Sequence, residues 1–175
     1  MRAAWLLVLL LMGCTDGVAV SRTHYTQLGI PSHVELAAAR PPVLVALHRS
    51  PFADTQVLEA MRVHNPRPYM SFATAAPGGS EGYRIVLGFG ARPPGGSADC
   101  SVFSQPAGPS PAGKTEMYGA FCLGNTLLSE ASAIAPTITT PYDPAFARLT
   151  GDLLLALLPI RDPLAYQYRC RFPSC

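Results

Sequence analysis

Lysine is all but missing from this chain: Lys114 is the only one, and the remaining basic residues are arginines scattered thinly against 11 acidic residues. Charged residues make up 14% of the sequence and the formal net charge is +2. Roughly a quarter would be usual. That balance excludes a highly charged disordered protein and leaves no basic footprint for nucleic acid. Histidine stops at His64, so no cysteine after that point has a neighbouring histidine with which to hold zinc. No apolar run reaches the roughly 18 residues of a permanent membrane-spanning helix. Internal repeats are missing too, and 175 residues suit one domain with a single core. What is plentiful is hydrophobic residues, at 49%, together with 18 prolines and 15 glycines, which announce many turns.

The first fourteen residues carry the strongest signal. Arg2 gives a positive start, Ala3 to Leu11 an apolar stretch too short to span a bilayer, and Leu11-Met12-Gly13-Cys14 closes it. This ending resembles the lipobox of bacterial lipoproteins, with Met12 where a small residue is usual. In that family the small residue before the cysteine admits the signal peptidase, and the cysteine thiol takes the diacylglycerol. The resemblance implies a signal peptide over 1–13 and lipidation at Cys14. In proteobacterial lipoproteins an aspartate right after the cysteine favours the inner membrane. Here Thr15 holds that place, which implies the outer membrane, facing the periplasm.

Export fits the other cysteines. Cys100, Cys122, Cys170 and Cys175 form an even set in a compartment where disulfides persist, and four cysteines allow three connectivities. Local bridges are expected: Cys100 with Cys122 around a Pro/Gly loop, and Cys170 with Cys175 around Pro173. A hairpin centred on Pro111 would also set Val102 against Ala120 and Phe103 against Gly119. Free buried thiols are the alternative.

Along the mature chain, residues 14–40 read as a lipidated tether with some ordered part, and 41–175 as the domain. Val43 to Leu47 is a continuous apolar run, as in a strand buried on both faces. Ser50-Pro51 is expected to open a helix with Val57, Leu58 and Met61 on its apolar face, ending before Asn65-Pro66. Two strands follow, Pro68 to Ala75 and Tyr83 to Phe89. Pairing Phe72 with Leu87 puts Met70, Phe72, Ile85, Leu87 and Phe89 on a core face, and Ser71, Ala73, Ala75, Arg84 and Gly88 on a face that meets water. Ser101 to Gln105 and Thr115 to Leu123 continue as strands to a Gly124-Asn125 turn, and Thr126 to Ile134 fits either a strand or a short helix. Asp143-Pro144 begins a last helix with Phe146, Leu149, Leu153 and Leu157 on one stripe, stopped by Pro159. The resulting fold class is α+β: a single small domain, mainly an antiparallel sheet of about five or six strands with two helices on one face.

Two spellings of catalytic motifs have the wrong context. Gly108 to Thr115 matches the phosphate loop of nucleotide triphosphatases, but Pro109 and Pro111 remove amide hydrogens from the cradle and strand-forming residues follow Thr115. Gly78 to Gly82 spells the nucleophile elbow of α/β-hydrolases, which needs a helix after it and a histidine later in the chain. His24, His33 and His64 lack metal-ligand spacing.

No catalytic centre, cofactor or metal is therefore assigned. The expected function is a lipid-anchored cell-envelope protein, a non-catalytic binding or structural accessory. Its partners would be the membrane, through the lipid, and an envelope protein or peptidoglycan. The alternatives are a periplasmic enzyme with its site near His48, Arg49 and Asp54, and nucleotide binding at the 108–115 loop around Lys114.

Overall fold

The computed structural model describes residues 17–26, 29–75, 82–90, 100, 110 and 112–161. Regular structure begins well before Pro41. Ala19–Tyr25 forms strand β1, and Ile30–Ala38 forms helix α1. Gly29 enters the helix with a φ of 79°, and a proline sits in the first turn, where its missing amide hydrogen costs nothing. Ile30, Val34 and Ala37 recur at helical spacing and lie in the main core. The ordered part expected within 14–40 is thus an edge strand and an amphipathic helix packed on the domain, with Ser21, Thr23, His24, Ser32 and Glu35 among the outward positions; residues 14–16, 27 and 28 lie outside the described residues.

Val43–His48 forms β2, and Asp54–Val63 forms helix α2, which buries Val57, Leu58, Ala60 and Met61. The helix starts later than Ser50-Pro51. Ser50 Oγ accepts the Phe52 N–H at 3.1 Å and donates to the Phe52 carbonyl at 2.7 Å, closing a local turn instead of a cap. The cap is made one turn on, where Gln56 Oε1 accepts the Ala53 N–H at 3.0 Å. Phe72–Thr74 forms β3, Tyr83–Phe89 β4, Lys114–Leu123 β5 and Thr126–Pro136 β6. Pro144–Leu157 forms helix α3, capped by Asp143 Oδ1, which accepts the Ala145 N–H at 2.8 Å.

The six strands make one sheet in the order β1-β6-β5-β4-β2-β3. The first three neighbouring pairs are antiparallel; β4 and β3 both run parallel to β2. The fold is α+β. Residues of all three helices among the described residues join strand residues in one core, so α1 adds a third helix to the two expected on that face.

Two strand pairings differ from the sequence reading. Phe72 does not pair with Leu87: Phe72 lies beside Val43, and Leu87 beside Leu47 on the far side of β2. Both edges of β2 are occupied, but its two faces are not equally covered: Val43 and Val45 are buried, while Leu44 and Ala46 on the other face are half-buried. Because β3 is three residues long and Thr74 stands level with Val45, the chain need only cross two strand spacings, about 10 Å, to begin β4. The second correction concerns the hairpin around Pro111. Both edges of β5 are taken, Ala120 lying between Val86 and Glu130, and Gly119 between Leu87 and Ala131. Val102 and Phe103 therefore have no edge of β5 to pair with; they lie outside the described residues, as does all of Ser101 to Gln105. Thr126 to Ile134 is strand, joined to β5 through Gly124, which takes a φ of 57°.

The face away from the helices meets water toward its β3 edge, where Ser71 is exposed and Ala73 and Ala75 are half-buried. Further in, Arg84 and Glu130 are each 6% exposed, and Gly88, Tyr118 and Ala120 are buried. Cys122 on this face is bonded to Cys100, with Cα atoms 5.9 Å apart, so that expected bridge forms without the hairpin that was to produce it. Cys170 and Cys175 lie outside the described residues.

The C-terminal end of α3 is held from three directions. Tyr25 Oη donates to the Ala156 carbonyl at 3.0 Å and Ser129 Oγ to the Leu157 carbonyl at 2.6 Å. A guanidinium nitrogen of buried Arg67 donates to the Leu158 carbonyl. These carbonyls have no partner within a helix end, and a cation there also meets the negative end of the helix dipole. Asn65 fixes the Arg67 loop, its Oδ1 accepting the Arg67 N–H at 2.9 Å and its Nδ2 donating to the Met70 carbonyl at 2.8 Å.

Candidate functional site

In open sheets with parallel strands, crevices form beyond the carboxyl end of a strand whose two neighbours are reached in opposite directions. β2 is such a strand: the chain leaves it for β3 on one side, and β4 lies on the other. Beyond its last residue, His48, the chain turns at Arg49, whose φ of 53° is left-handed although it is not glycine. That conformation costs on the order of 1–3 kcal/mol and is kept only where the surroundings fix it.

Arg49 borders a crevice of about 300 Å³. Pro51, Phe89 and Ile138 give it apolar walls, and Ser110, Thr115 and Glu116 give it polar ones. The Phe89 wall is backed by packed rings: the Phe52 and Phe146 centroids are 5.0 Å apart, and Phe89 lies 6.4 Å from Phe52 and 6.2 Å from Phe146. The polar side is tied down through the backbone. Gly90 N–H donates to the Glu116 carbonyl at 2.8 Å, Glu116 N–H to Ser110 Oγ at 3.4 Å, and Ile138 N–H to Thr115 Oγ1 at 2.9 Å.

Electrostatics set this corner apart. Burial pushes the Glu116 carboxyl up from the ordinary carboxylate range. Burial also raises the Tyr118 phenol, with the positive charge of Arg49 pulling it back down. Arg49 and Glu116 thus both border one small crevice, with Glu116 on the sheet face of Tyr118 and Phe89 on the opposite, helix-covered face.

Of the candidate site residues singled out from sequence, Arg49 borders the crevice, as do Ser110 and Thr115 of the 108–115 loop. His48 is half-buried at the end of β2, and Asp54 is exposed at the start of α2; neither lines it. Lys114 is exposed and begins β5, so a strand follows the phosphate-loop spelling where that motif needs a helix. Gly82 leads into β4, again a strand where the hydrolase elbow needs a helix. His24 Nδ1 sits 3.7 Å from a Glu130 carboxyl oxygen, His33 Nδ1 2.9 Å from Tyr83 Oη, and His64 lies against Gly151. Among the described residues no three His, Cys, Asp or Glu side chains come together as metal ligands. Cys14 lies outside the described residues. Glu116 was missed, although one signal marked it: it is the single acid in the otherwise uncharged run from Thr115 to Leu123.

Comparison with protein-family models, with curated protein sequences and with solved structures gives no match.

Proposed function

We propose that this chain is a lipid-anchored protein of the cell envelope whose α+β domain serves as a non-catalytic binding or structural accessory. The Cys100–Cys122 disulfide carries this reading, because such bonds persist outside the reducing cytosol. The short apolar leader ending in Leu11-Met12-Gly13-Cys14 supplies the route of export and the anchoring thiol. Two or three acyl chains would hold Cys14 in the bilayer almost permanently, whereas one gives only marginal binding. Thr15 after the cysteine favours the outer membrane, with the domain in the periplasm and an envelope protein or peptidoglycan as its partner. β1 begins at Ala19, so an anchor at Cys14 would keep the domain close to its membrane.

Intact mass and membrane fractionation of the wild type and Cys14→Ser, expressed in the native envelope, test the reading. Loss of residues 1–13, a gain of acyl mass and co-fractionation with the outer membrane in the wild type alone are expected. An unprocessed cytosolic chain overturns it.

A periplasmic enzyme near His48 and Arg49 is the second reading, favoured by one observation: Arg49 borders a crevice beyond the carboxyl end of β2. Turnover of a hydrolase substrate that disappears in His48→Ala, with the fold intact, would establish it.

A further inference from the structure

The chain enters the domain at the end of the sheet from which α3 also starts. Gly17 lies against Pro136, the last residue of β6: a Cβ built on Gly17 would stand 2.8 Å from Pro136 Cγ. Cys14 stands three residues before Gly17, and three extended residues reach at most about 11 Å. An acylated Cys14 therefore holds Pro136 within roughly 15 Å of the glycerol level of a bilayer whose headgroup layer is itself about 5–7 Å deep. The loop after Pro136 is uncharged, since no charged residue occurs between Glu130 and Asp143. Thr137, Thr139 and Thr140 are exposed, and Tyr142, at 82%, is the most exposed large apolar side chain among the described residues. Hydrogen bonds keep the loop at this end of the sheet. Ile138 N–H donates to Thr115 Oγ1 at 2.9 Å, near the start of β5, and Tyr142 N–H donates to Thr140 Oγ1 at 3.2 Å. Tyr69, 60% exposed, lies at the far end, two residues from Arg67, which donates to the Leu158 carbonyl past the end of α3.

We propose that residues 137–142 form a membrane-contact loop seated in the headgroup layer beside the Cys14 anchor, with the Tyr142 ring at the boundary between water and acyl chains. The inference rests on the reading of the chain as a lipid-anchored protein and names the surface by which its domain meets that membrane. The loop carries no ionised side chain of its own that would have to leave water. The acid that follows it, Asp143, is half-buried, and its Oδ1 already accepts the Ala145 N–H as the cap of α3. Tyrosine suits such a boundary because its ring is apolar and its hydroxyl polar. Lys114, the only lysine of the chain, is exposed and is the register partner of Pro136, which sets a cation beside the loop for the phosphates of lipid headgroups. The backbone on both sides of Tyr142 is hydrogen-bonded within the protein, so little ordering is needed on contact.

The test uses tryptophan fluorescence, because the single tryptophan of the chain, Trp5, lies in the leader and the mature protein would have none. Tyr142→Trp places a lone fluorophore in the loop, and Tyr69→Trp places one at the far end. Each protein, purified with its lipid, is reconstituted into vesicles of phosphatidylethanolamine and phosphatidylglycerol containing phosphatidylcholine brominated on its acyl chains, which quenches tryptophan on contact. Relative to vesicles without bromine, emission of the Tyr142→Trp protein is expected to fall at least about two-fold and to lie to the blue, while that of the Tyr69→Trp protein stays unchanged. The inference is overturned if the Tyr142→Trp protein is quenched no more than the Tyr69→Trp protein. Should Tyr142→Trp fail to fold, as judged by circular dichroism, Thr139→Trp in the same exposed run is held to the same two outcomes. Intact mass of the same preparations separates the two readings. A processed, acylated protein with an unquenched loop loses only the contact surface; a chain that keeps residues 1–13 loses the anchor, and this surface with it.

Discussion

The ring of Tyr118 on β5 lies across Gly88 on β4. The two are register partners, and a Cβ built on Gly88 would stand 2.6 Å from Tyr118 Cε1, with the other nearest atoms also on that ring. Glycine in the middle of a strand weakens it through entropy, and here the close approach of a buried phenol ring accounts for its presence. Gly88 is in turn the partner of His48 on β2, so the tyrosine ring roofs the strand that ends beside the crevice.

Gly88→Ala is therefore expected to destabilise the protein by about 1–3 kcal/mol, the usual cost of forcing an extra carbon into a packed site. Urea unfolding of Gly88→Ala, Tyr118→Ala and the double variant measures it. The double variant should lose less than the sum of the single losses, because removing the ring removes the clash.

Arg67 is 4% exposed and donates to the carbonyl at the end of α3. Replacing it with methionine keeps much of the apolar stem but leaves that buried carbonyl without its charged donor. A loss of about 1–3 kcal/mol is expected in chemical unfolding. Ser129→Ala, which removes the neighbouring bond to Leu157, should cost about 1 kcal/mol. Because both act on the same helix end, their effects should not be additive.

Removing the bridge by Cys100→Ala together with Cys122→Ala should cost about 3 kcal/mol, from the loop entropy of a cross-link with a sequence separation of 22. Peptide mapping without reduction should join these two cysteines to each other, and reduction of the wild type should lower its unfolding midpoint by a matching amount.

Glu116 makes stability depend on pH in a direction opposite to that of an ion-paired acid. Its carboxyl is raised by burial, so the folded state holds the proton more tightly than the unfolded state does. That contribution is fully present below the unfolded value, about 4.3, and is lost as pH rises through the folded value. Glu116→Gln should therefore melt at a higher temperature than wild type at pH 7, and the difference should vanish near pH 4. Differential scanning calorimetry at the two pH values decides it; a variant less stable than wild type at pH 7 would show that the carboxylate has a stabilising partner.

Much of the fold was legible because it depends on residues close in sequence. Helix α3 followed from the Asp143 cap, the stripe from Phe146 to Leu157 and the stop at Pro159. The β5–β6 hairpin followed from Gly124-Asn125 between two apolar runs. That 43–47 is a strand followed from its unbroken apolar run, although the second face, expected to be buried, is only half-buried at Leu44 and Ala46, and the run does not name the neighbours. Those neighbours could not be read: whether Phe72 pairs with Leu87 or with Val43 depends on a long-range choice that no local spacing encodes. The same holds for residues 18–38, whose mixed polarity suits a tether or an edge strand and helix equally, until β6 and the core are there to receive them.

The sequence by itself determined the fold class, the two-residue turn at Gly124-Asn125, the Asp143 cap and the even set of cysteines after Cys14. Each of these is a matter of period, dihedral preference or count. Tertiary structure alone decided that Arg49 and Glu116, far apart in the chain, border one crevice. It also decided that Arg84 and Glu130 are buried rather than facing water, and that Cys100 meets Cys122 across a sheet face instead of along a hairpin. The reason is physical: local preference fixes the shape of a segment, but which of several compatible edges and faces it joins is set by the burial that all the segments achieve together.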